Sequence, residues 1–316
     1  MNTKTPPFAL RYLNLIVFYI KFPFLSYKIE NWVKRYVSED LKPEEIKKLR
    51  LLFLREKLNK KTLKKEIKNI EENILSKKSI IWNDYLEKRL PKKYTNCNLR
   101  ISNTPELTAI IIETRKHTHF KVIVQNTITN LQHLNIGLQV YHGTNNENFV
   151  KECLKQYENI EYININVGNI DIEGYNKIML SKTFHENIPT DLFLVFQTDS
   201  ITFRALDKKF LQFDYIGAPW KKSNHLTYKA EVGNGGLSLR SKTAMLSILN
   251  QNIERPQFMP EDLYLAQILK KQNYNIPSYS IASEFSIEEV YNPHAFGCHK
   301  CWETITIAQL NTILSF

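Results

Sequence analysis

Residues 106–115, "ELTAIIIETR", contain an uninterrupted apolar run that ends in charged and polar residues. A short continuous run of this kind is typical of a strand that is buried on both faces of a parallel sheet. Three later stretches predict further strands: "IGLQVYHGTNN" (136–146), "NIEYININV" (159–167) and "DLFLVFQTDS" (191–200). Helical patterns lie between the strands, so the order of elements predicts right-handed crossovers and a mostly parallel α/β sheet flanked by helices.

The carboxyl ends of these strands are where a ligand is expected, because ligands of open α/β sheets bind outside that edge. The first predicted strand ends at Glu113, Thr114 and Arg115, and the fourth runs directly into Asp199. A carboxylate that follows a buried strand needs a cation or several hydrogen-bond donors. Asp199 is therefore a candidate site residue, and a turn-forming aspartate is the alternative.

The positive charge of the chain lies in its first third. Residues 1–100 contain 24 Lys and Arg against 11 Asp and Glu, whereas residues 101–316 contain 19 against 21. Apolar residues recur at helical spacing over 38–90, so we predict a basic helical N-terminal region over 1–100 and one α/β domain over 101–316. A basic region of this kind attracts anionic lipid, nucleic acid or acidic partners.

An apolar stretch at residues 12–27, "YLNLIVFYIKFPFLSY", is interrupted by Lys21 and Pro23. It is shorter than the about 20 residues that span a bilayer, so it predicts a buried helix or, alternatively, an interfacial anchor on anionic lipid. The four cysteines do not form a disulfide framework and fit a reducing compartment. We therefore expect a cytoplasmic protein, with peripheral membrane contact through the N-terminal region as the open alternative.

Two later segments supply candidate binding and catalytic groups. "EVGNGGLSLRS" (231–241) holds three of the nine glycines of the chain, which indicates close approach of the backbone to a ligand or a tight turn. "MPEDLYLAQILKKQ" (259–272) begins a helix with Glu261 and Asp262. Acidic residues in a first turn complement the helix dipole, and they can also hold a general base near a substrate hydroxyl. Trp220 in "DYIGAPW" could stack on a sugar or base, or pack in the core.

Seven segments together resemble a glycosyltransferase-like family, the domain of unknown function 5672: "IIIETR", "LQVYHGTNN", "VFQTDS", "DYIGAPW", "VGNGGLSLRS", "PEDLYLA" and "HAFGCHK". The resemblance covers residues 107–302 and implies a GT-A-like, Rossmann-like fold. It also implies a hexosyltransferase-like enzyme that moves a sugar from a nucleotide-diphosphate sugar to a glycan, protein or lipid acceptor. The family implies that this donor is a UDP-sugar. Nucleic acid is not an expected partner of such an enzyme.

The stretch "HAFGCHKCW" (294–302) is similar to the C-terminal H-x-x-G-x-x-K-P-W signature of glycogenin-like transferases, with Cys301 in place of the proline. That similarity implies that His294 and Asp199 ligate Mn²⁺ or Mg²⁺, and that Gly297 and Lys300 contact the diphosphate. The usual D-x-D reads Q-T-D here, so Asp199 is its only remaining acid. A zinc or redox site on Cys298-x-x-Cys301 is the weaker alternative, because tetrahedral zinc needs four ligands.

The resemblance also assigns roles to the other candidates. Three residues would receive the nucleotide (Glu113, Thr114, Arg115), three would border the sugar (Asn234, Gly235, Gly236), and Trp220 is a further donor contact. Asp262, with Glu261 as the second candidate, would be the general base if the reaction inverts the anomeric carbon. The glycogenin-like ending indicates retention, so the stereochemistry stays open. The rival hypothesis is a catalytically inactive GT-A-like module whose basic N-terminal region binds membrane or nucleic acid.

Overall fold

The computed structural model of the protein describes residues 60–95, 97–221 and 230–315. The apolar stretch 12–27 and the first part of the predicted helical region lie outside these residues. Contacts divide the chain into two compact units, one of residues 1–76 with 306–308 and one of residues 77–305 with 309–316. Within the described ranges, every helix is too short or too polar to cross a membrane.

The described part of the first unit is helical. Helix α1, Lys60–Asp84, begins in it and lies within the segment 38–90 that the apolar spacing predicts to be helical. The sequence-based boundary at residue 100 differs from the division of contacts at residue 76. The reason lies in residues 77–95, where charged side chains such as Lys88 and Lys92 are exposed while Trp82, Tyr85, Leu86 and Leu90 are buried.

In the second unit, α1 continues into a π-helical turn, Tyr85–Arg89, and a short helix α2, Leu90–Lys93. Trp82, Tyr85, Leu86 and Leu90 are buried in the same apolar cluster as residues of the central sheet. The ring of Trp82 lies 4.5 Å from that of Trp302, centroid to centroid. Basic composition therefore described the surface of this segment, and its apolar stripe decides where it packs.

The central sheet confirms the predicted α/β class. The described strands of the unit are β1 (Leu107–Glu113), β2 (Ile136–His142), β3 (Ile160–Asn164), β4 (Leu192–Phe196), β5 (Ser200–Thr202), β6 (Tyr215–Ile216), β7 (Ala218–Pro219), β8 (Val232–Gly233), β9 (Leu237–Ser241), β10 (Ser286–Ile287) and β11 (Gly297–His299). Six of them form the central sheet, in the order β3-β2-β1-β4-β9-β6. Strand β1 pairs parallel with β2 and β4, and β2 pairs parallel with β3. Strand β9 is antiparallel to β4 and β6. Among the six, β9 alone therefore runs against the others.

Helices cover both faces of this sheet: α3 (Phe120–Leu131), α4 (Glu147–Leu154), α5 (Ile172–Met179), α6 (Lys182–Glu186), α7 (Lys242–Asn250), α8 (Glu261–Lys271), α9 (Tyr279–Phe285) and α10 (Ile307–Ile313). All seven residues of β1 are buried. Its alternate side chains enter two clusters, Ile111 with α3 on one face and Ile110 with α7 and α8 on the other. Burial on both faces explains the continuous apolar run that predicted the fold.

A second, three-stranded sheet has the order β10-β11-β5. Strand β11 pairs antiparallel with β5, which aligns His299 with Ser200, and parallel with β10, which aligns Cys298 with Ile287. Ile201, Ile287 and Cys298 are fully buried in the apolar core. Because side chains alternate along a strand, His299 points away from that core layer.

Candidate functional site

Asp199 lies in the tight turn that joins β4 to β5 at the carboxyl end of the central sheet. The register of the small sheet places His299 beside this turn, and Glu288 directly follows β10, the next strand. His299 therefore lies between the two acids. Its Nε2 is 3.3 Å from Asp199 Oδ1, and its Nδ1 is 3.2 Å from Glu288 Oε1.

The charges of Asp199, His299 and Glu288, which lie side by side, explain the pKa values of Asp199 and His299. Burial raises the pKa of Asp199, but the neighbouring His299 and Lys300 outweigh it and hold that pKa at about 2. Burial lowers the pKa of His299, but the two flanking carboxylates reverse this and raise it to about 10. With a proton on both ring nitrogens, His299 is the cation that compensates two partly buried acids.

Lys300 is the exposed member of the site. Its backbone takes the left-handed conformation, with φ of 45°, and its N–H donates to the Asp199 carbonyl over 3.1 Å. The ammonium Nζ lies 3.5 Å from Asp199 Oδ2. The side chain is 46% exposed, so a ligand can reach its charge from solvent.

The glycine-rich loop reaches the same place because β9 runs antiparallel to β4. The pairing of Phe196 with Leu237 puts Gly236 next to the end of β4, where its carbonyl accepts from Gln197 N. A Cβ at Gly236 would lie 2.1 Å from His299 Cδ2. The glycine is thus required by the imidazole that packs on it, and the predicted close approach of the backbone is to a side chain of this protein.

Asn234 shapes the loop before Gly236. Its φ is 87°, its Oδ1 accepts from Gly236 N at 2.7 Å and Leu237 N at 3.1 Å, and its carbonyl accepts from Tyr215 Oη. Its Nδ2 is buried and finds no partner among the described residues. An unpaired buried amide is costly, so Asn234 is kept at this position at the expense of some stability.

Asp262 joins the site from the first turn of α8. Its Oδ2 accepts from Gly235 N at 2.9 Å, and its Oδ1 accepts from Leu263 N at 2.7 Å. Burial, followed by the nearby charges of Glu261 and Glu288, raises the pKa of Asp262 to about 6. A carboxyl group with this proton affinity can accept a proton near neutral pH.

Glu261 has a different role from the predicted one. Both of its carboxylate oxygens accept from the Arg240 guanidinium, at 2.9 and 3.0 Å, and the two side chains are 3% and 0% exposed. The structure contradicts a general-base role for Glu261, because its oxygens are engaged in a buried ion pair. The sequence pattern did not reveal this pair, since Arg240 comes from the middle of a strand.

The buried side chains at the end of β1 form their hydrogen bonds within the protein. Glu113 is buried and accepts from Arg115 Nε, Arg115 Nη2 and Thr198 Oγ1. Thr114 is buried and donates to Asn169 Oδ1. These contacts close the loops at this edge and leave Arg115, whose side chain is 61% exposed, as the member that a ligand can contact.

His294 does not join the site. It is exposed after a turn in which its N–H donates to Asn292 Oδ1. Within the described ranges, no ion pair links it to Asp199, and His299 occupies that place. The predicted ligand role of His294 is therefore contradicted by its position, because the next two residues, Ala295 and Phe296, enter the core and carry the chain past it.

Gly297 and Trp220 are packing residues. Gly297 lies between two paired strands, and a Cβ there would approach Ile201 O to 2.7 Å. The indole of Trp220 lies on Gly233, where a Cβ would be 1.7 Å from Cη2, and it is 7% exposed in a small cluster with Leu263. The predicted diphosphate and donor contacts of these residues are contradicted by that burial.

The two cysteines of "HAFGCHKCW" are core residues. Cys298 and Cys301 are fully buried in the main apolar cluster and carry free thiols. Burial and the adjacent Cys298 raise the pKa of the Cys301 thiol well above its usual range. A zinc or redox role for this pair is therefore excluded by its surroundings, since both roles need thiolate character and access.

A groove of about 670 Å³ opens where β1 and β2 end. It is lined by loop and helix residues that follow these strands: Lys116, Thr144, Asn145, Glu147, Asn148, Phe149, Glu152 and Cys153. Apart from Asn145, which follows the second predicted strand, the sequence did not point to these residues, although the carboxyl-end rule points to this edge. The groove offers an aromatic ring and several hydrogen-bonding groups.

A divalent ion fits one position of the site. In the parts of the chain that the structure describes, no cluster of three or more His, Cys, Asp and Glu side chains could hold a metal. However, Asp199 Oδ1 and His299 Nε2 face each other across 3.3 Å, with the proton of the imidazolium between them. A divalent ion held here would take the place of that proton, with the carboxylate oxygen and the imidazole nitrogen as its ligands. Glu288 on Nδ1 fixes the ring as it does in metal-ligating histidines.

Comparisons with known proteins give the following similarities. Residues 158–299 match the family described as "Protein of unknown function (DUF5672)". No curated protein matches the chain. The mannosyltransferase PcManGT from Pyrobaculum calidifontis, solved with GDP-Man and Mn²⁺, is similar at 9% identity over 65% of each chain, with a TM-score of 0.38. The match thus spans just under two thirds of that enzyme. The galactosyltransferase LgtC, solved with donor and acceptor sugar analogues, is similar at 11% identity over 51% of this chain and 70% of its own, with a TM-score of 0.37.

Proposed function

We propose that the protein is a glycosyltransferase that moves a sugar from a nucleotide-diphosphate sugar to an acceptor hydroxyl. One observation carries this proposal. A cation-binding row, Asp199 and His299, and an exposed Lys300 lie at the carboxyl edge of the sheet, and the Gly235–Gly236 loop connects them to Asp262. The groups that would stabilise an anionic leaving group therefore lie close to a carboxylate that can accept a proton.

The donor diphosphate is assigned to the neighbourhood of Lys300. Its ammonium is a point charge for phosphate oxygens, and Arg115 supplies a second exposed cation near the end of β1. The groove beside β1 and β2 is the place assigned to the nucleoside, because Phe149 offers a ring face and Asn145 and Asn148 offer amide groups. UDP as the nucleotide rests on the family resemblance alone.

The metal ligands proposed here are Asp199 Oδ1 and His299 Nε2, with diphosphate oxygens and water as the remaining ligands. Mn²⁺ and Mg²⁺ accept carboxylate and phosphate oxygens, and Mn²⁺ also accepts imidazole. An ion held there would neutralise the negative charge that the diphosphate gains as it leaves. His299 thus takes the role that the motif spacing gave to His294.

The reaction that this arrangement supports best is a direct displacement. The acceptor hydroxyl gives its proton to Asp262 while its oxygen bonds to the anomeric carbon of the donor sugar. The bond from that carbon to the diphosphate oxygen breaks, and the diphosphate leaves with the electron pair beside Lys300. Such a displacement inverts the anomeric carbon, and the pKa of Asp262, about 6, suits the proton transfer.

The decisive experiment measures thermal stabilisation by a panel of nucleotide diphosphates and nucleotide-sugars, with Mn²⁺ and then with a chelator. A ligand that binds only the folded state at 100 times its Kd adds about 2.7 kcal/mol of stability. We expect a metal-dependent rise with one nucleotide that is lost in His299→Ala and kept in the matched control His294→Ala.

Two other results would contradict the proposal. Loss of the rise in both variants or in His294→Ala alone would return the ligand role to His294. No rise with any nucleotide, together with salt-dependent binding of the full chain to anionic vesicles, would favour the rival binding module.

A further inference from the structure

Two of the most exposed apolar side chains among the described residues lie on different elements that meet at one arginine. Phe258 is 84% exposed and Ile172 is 80% exposed. Arg255 donates to Glu173, the neighbour of Ile172, and to the carbonyl of Met259, the neighbour of Phe258. Each apolar residue is thus adjacent in sequence to a group that the same guanidinium binds. We call Phe258 and Ile172 the apolar rim.

The rim lies beside Asp262. Phe258 precedes Asp262 by four residues, a distance of at most about 14 Å along an extended chain. From the other side, Asn176 Oδ1 in α5 accepts from Glu261 N, so the helix that begins at Ile172 packs at the first turn of α8. The loop before α8 is also tied to α8 itself, because Tyr264 Oη donates to the Ile253 carbonyl.

The backbone at Phe258 is held in an unfavourable conformation. Its φ is 64°, in the left-handed region that bulky residues seldom adopt. Strain of this kind persists where surrounding contacts enforce it, and it concentrates at ligand sites. Here the contacts of Arg255 and Tyr264 enforce it, and the result is an aromatic ring presented to solvent.

We infer that the apolar rim binds an apolar group of the acceptor, so that the protein prefers acceptors in which an aryl or alkyl group adjoins the sugar that carries the reacting hydroxyl. The inference rests on the proposed function, in which Asp262 takes the proton of that hydroxyl. A molecule whose hydroxyl reaches Asp262 extends its remaining atoms past the loop and helix that border this carboxylate. Those elements carry the exposed side chains of Phe258 and Ile172, whose burial under a ligand removes apolar surface from water.

The test compares methyl and phenyl glycosides of glucose, galactose and mannose as binding probes. Isothermal calorimetry would measure their Kd on the protein saturated with Mn²⁺ and the nucleotide diphosphate that stabilises it most. We expect the phenyl glycoside of one sugar to bind about tenfold more tightly than the methyl glycoside, as burial of one aromatic side chain can supply. In the double variant F258N and I172S this preference should fall below about twofold.

The variants are chosen so that folding does not decide the result. Asparagine tolerates the left-handed conformation at position 258 better than phenylalanine does, and serine is acceptable at the start of a helix. Ile80→Ser is the matched control, since Ile80 is 65% exposed on α1, and it should keep the phenyl preference. All variants should keep the stabilisation by nucleotide diphosphate.

The outcomes separate the two proposals. Nucleotide binding without a phenyl preference in any sugar series, or with a preference that the double variant keeps, overturns the apolar rim and leaves the proposed function intact. Absence of nucleotide binding in the unaltered protein overturns both.

Discussion

His299 Nε2 lies 3.3 Å from Asp199 Oδ1, at the junction of the small sheet with the central one. The two residues are 100 positions apart in sequence, and the pairing of β11 with β5 aligns them by setting His299 opposite Ser200. A histidine was expected to face Asp199 from the motif "HAFGCHKCW", but strand register selects the sixth residue of that motif and not the first. The site is thus defined by sheet pairing and not by motif spacing.

The contact between Gly236 and His299 predicts the effect of a single methyl group. Gly236→Ala would place its Cβ 2.1 Å from the imidazole and displace His299 from Asp199. We expect the apparent Kd for nucleotide diphosphate, measured by thermal stabilisation in the presence of metal, to rise at least about tenfold. Gly174→Ala is the matched control, because its nearest contact is 3.3 Å away on the Asp171 side chain. A similar loss in both variants, measured by thermal shift titration, would contradict this account.

Removal of the proposed base should separate chemistry from binding. Asp262→Asn keeps the size of the side chain but removes the proton acceptor, so kcat should fall about 10²- to 10⁴-fold. The Kd for nucleotide diphosphate should change little, since the contacts of Asp262 are with Gly235 and Leu263. Initial rates together with calorimetry check this expectation, and a variant with unaltered kcat would exclude Asp262 as the base.

The pH dependence of kcat/KM follows from the same residue. Burial and the adjacent carboxylates raise the pKa of Asp262 from 3.8 to about 6. A base acts in its ionised form, so the rate should be independent of pH just above this value and fall about tenfold for each pH unit below it. The control is the same profile for Gly174→Ala, which should keep the acid limb near pH 6. A limb near pH 4 would mean that Asp262 is an ordinary, unperturbed carboxylate.

The buried ion pair of Arg240 and Glu261 should contribute strongly to the free energy of unfolding. Glu261→Ala leaves a guanidinium that is 0% exposed without its partner, which costs about 3–5 kcal/mol of unfolding free energy. Glu147→Ala is the control, because its pair with Lys151 is 39% and 49% exposed, and such surface pairs contribute about 0–1 kcal/mol. Denaturant unfolding measures both, and equal losses would contradict the assigned burial.

Thiol labelling tests the structural interpretation of the cysteines. Cys298 and Cys301 are fully buried, whereas Cys97 and Cys153 are partly exposed. Under native conditions we expect alkylation of Cys97 and Cys153 to precede that of the other two, because the reagent needs an accessible thiolate. Mass spectrometry of peptides over time follows the four sites. Rapid modification of Cys301 would show that its segment opens easily.

The sequence was most informative where burial alone decides the structure. The four runs that predicted strands are β1 to β4. Every residue of β1 and β2 is buried, which leaves few alternatives to a central strand, whereas the edge strand β3 is only partly buried. Asp199 and Asp262 could be selected as well, since each begins a turn or helix directly at the expected edge of the sheet. The resemblance to the family is confirmed over residues 158–299, and the family match does not extend beyond them.

Glu261 and Trp220 depart from their predicted roles for a common physical reason. Glu261 has the residue type that a site needs, but Arg240 neutralises it through a contact that no local pattern shows. Trp220 packs on a glycine that lies 13 positions later, which only the pairing of β7 with β8 explains. Charge composition likewise placed residues 77–95 outside the α/β unit, while their apolar side chains pack in its core.

By itself, the sequence determined the α/β class, because hydrophobic burial and strand order are local properties of the chain, and it predicted an edge of the sheet and two carboxylates, Asp199 and Asp262, for the candidate site. Only the tertiary structure decided which histidine contacts Asp199, which of Glu261 and Asp262 is not engaged in an ion pair, and which glycines have a side chain packed against them. Those outcomes depend on the register between distant strands, where a shift of one residue would turn His299 away from Asp199 and toward the core.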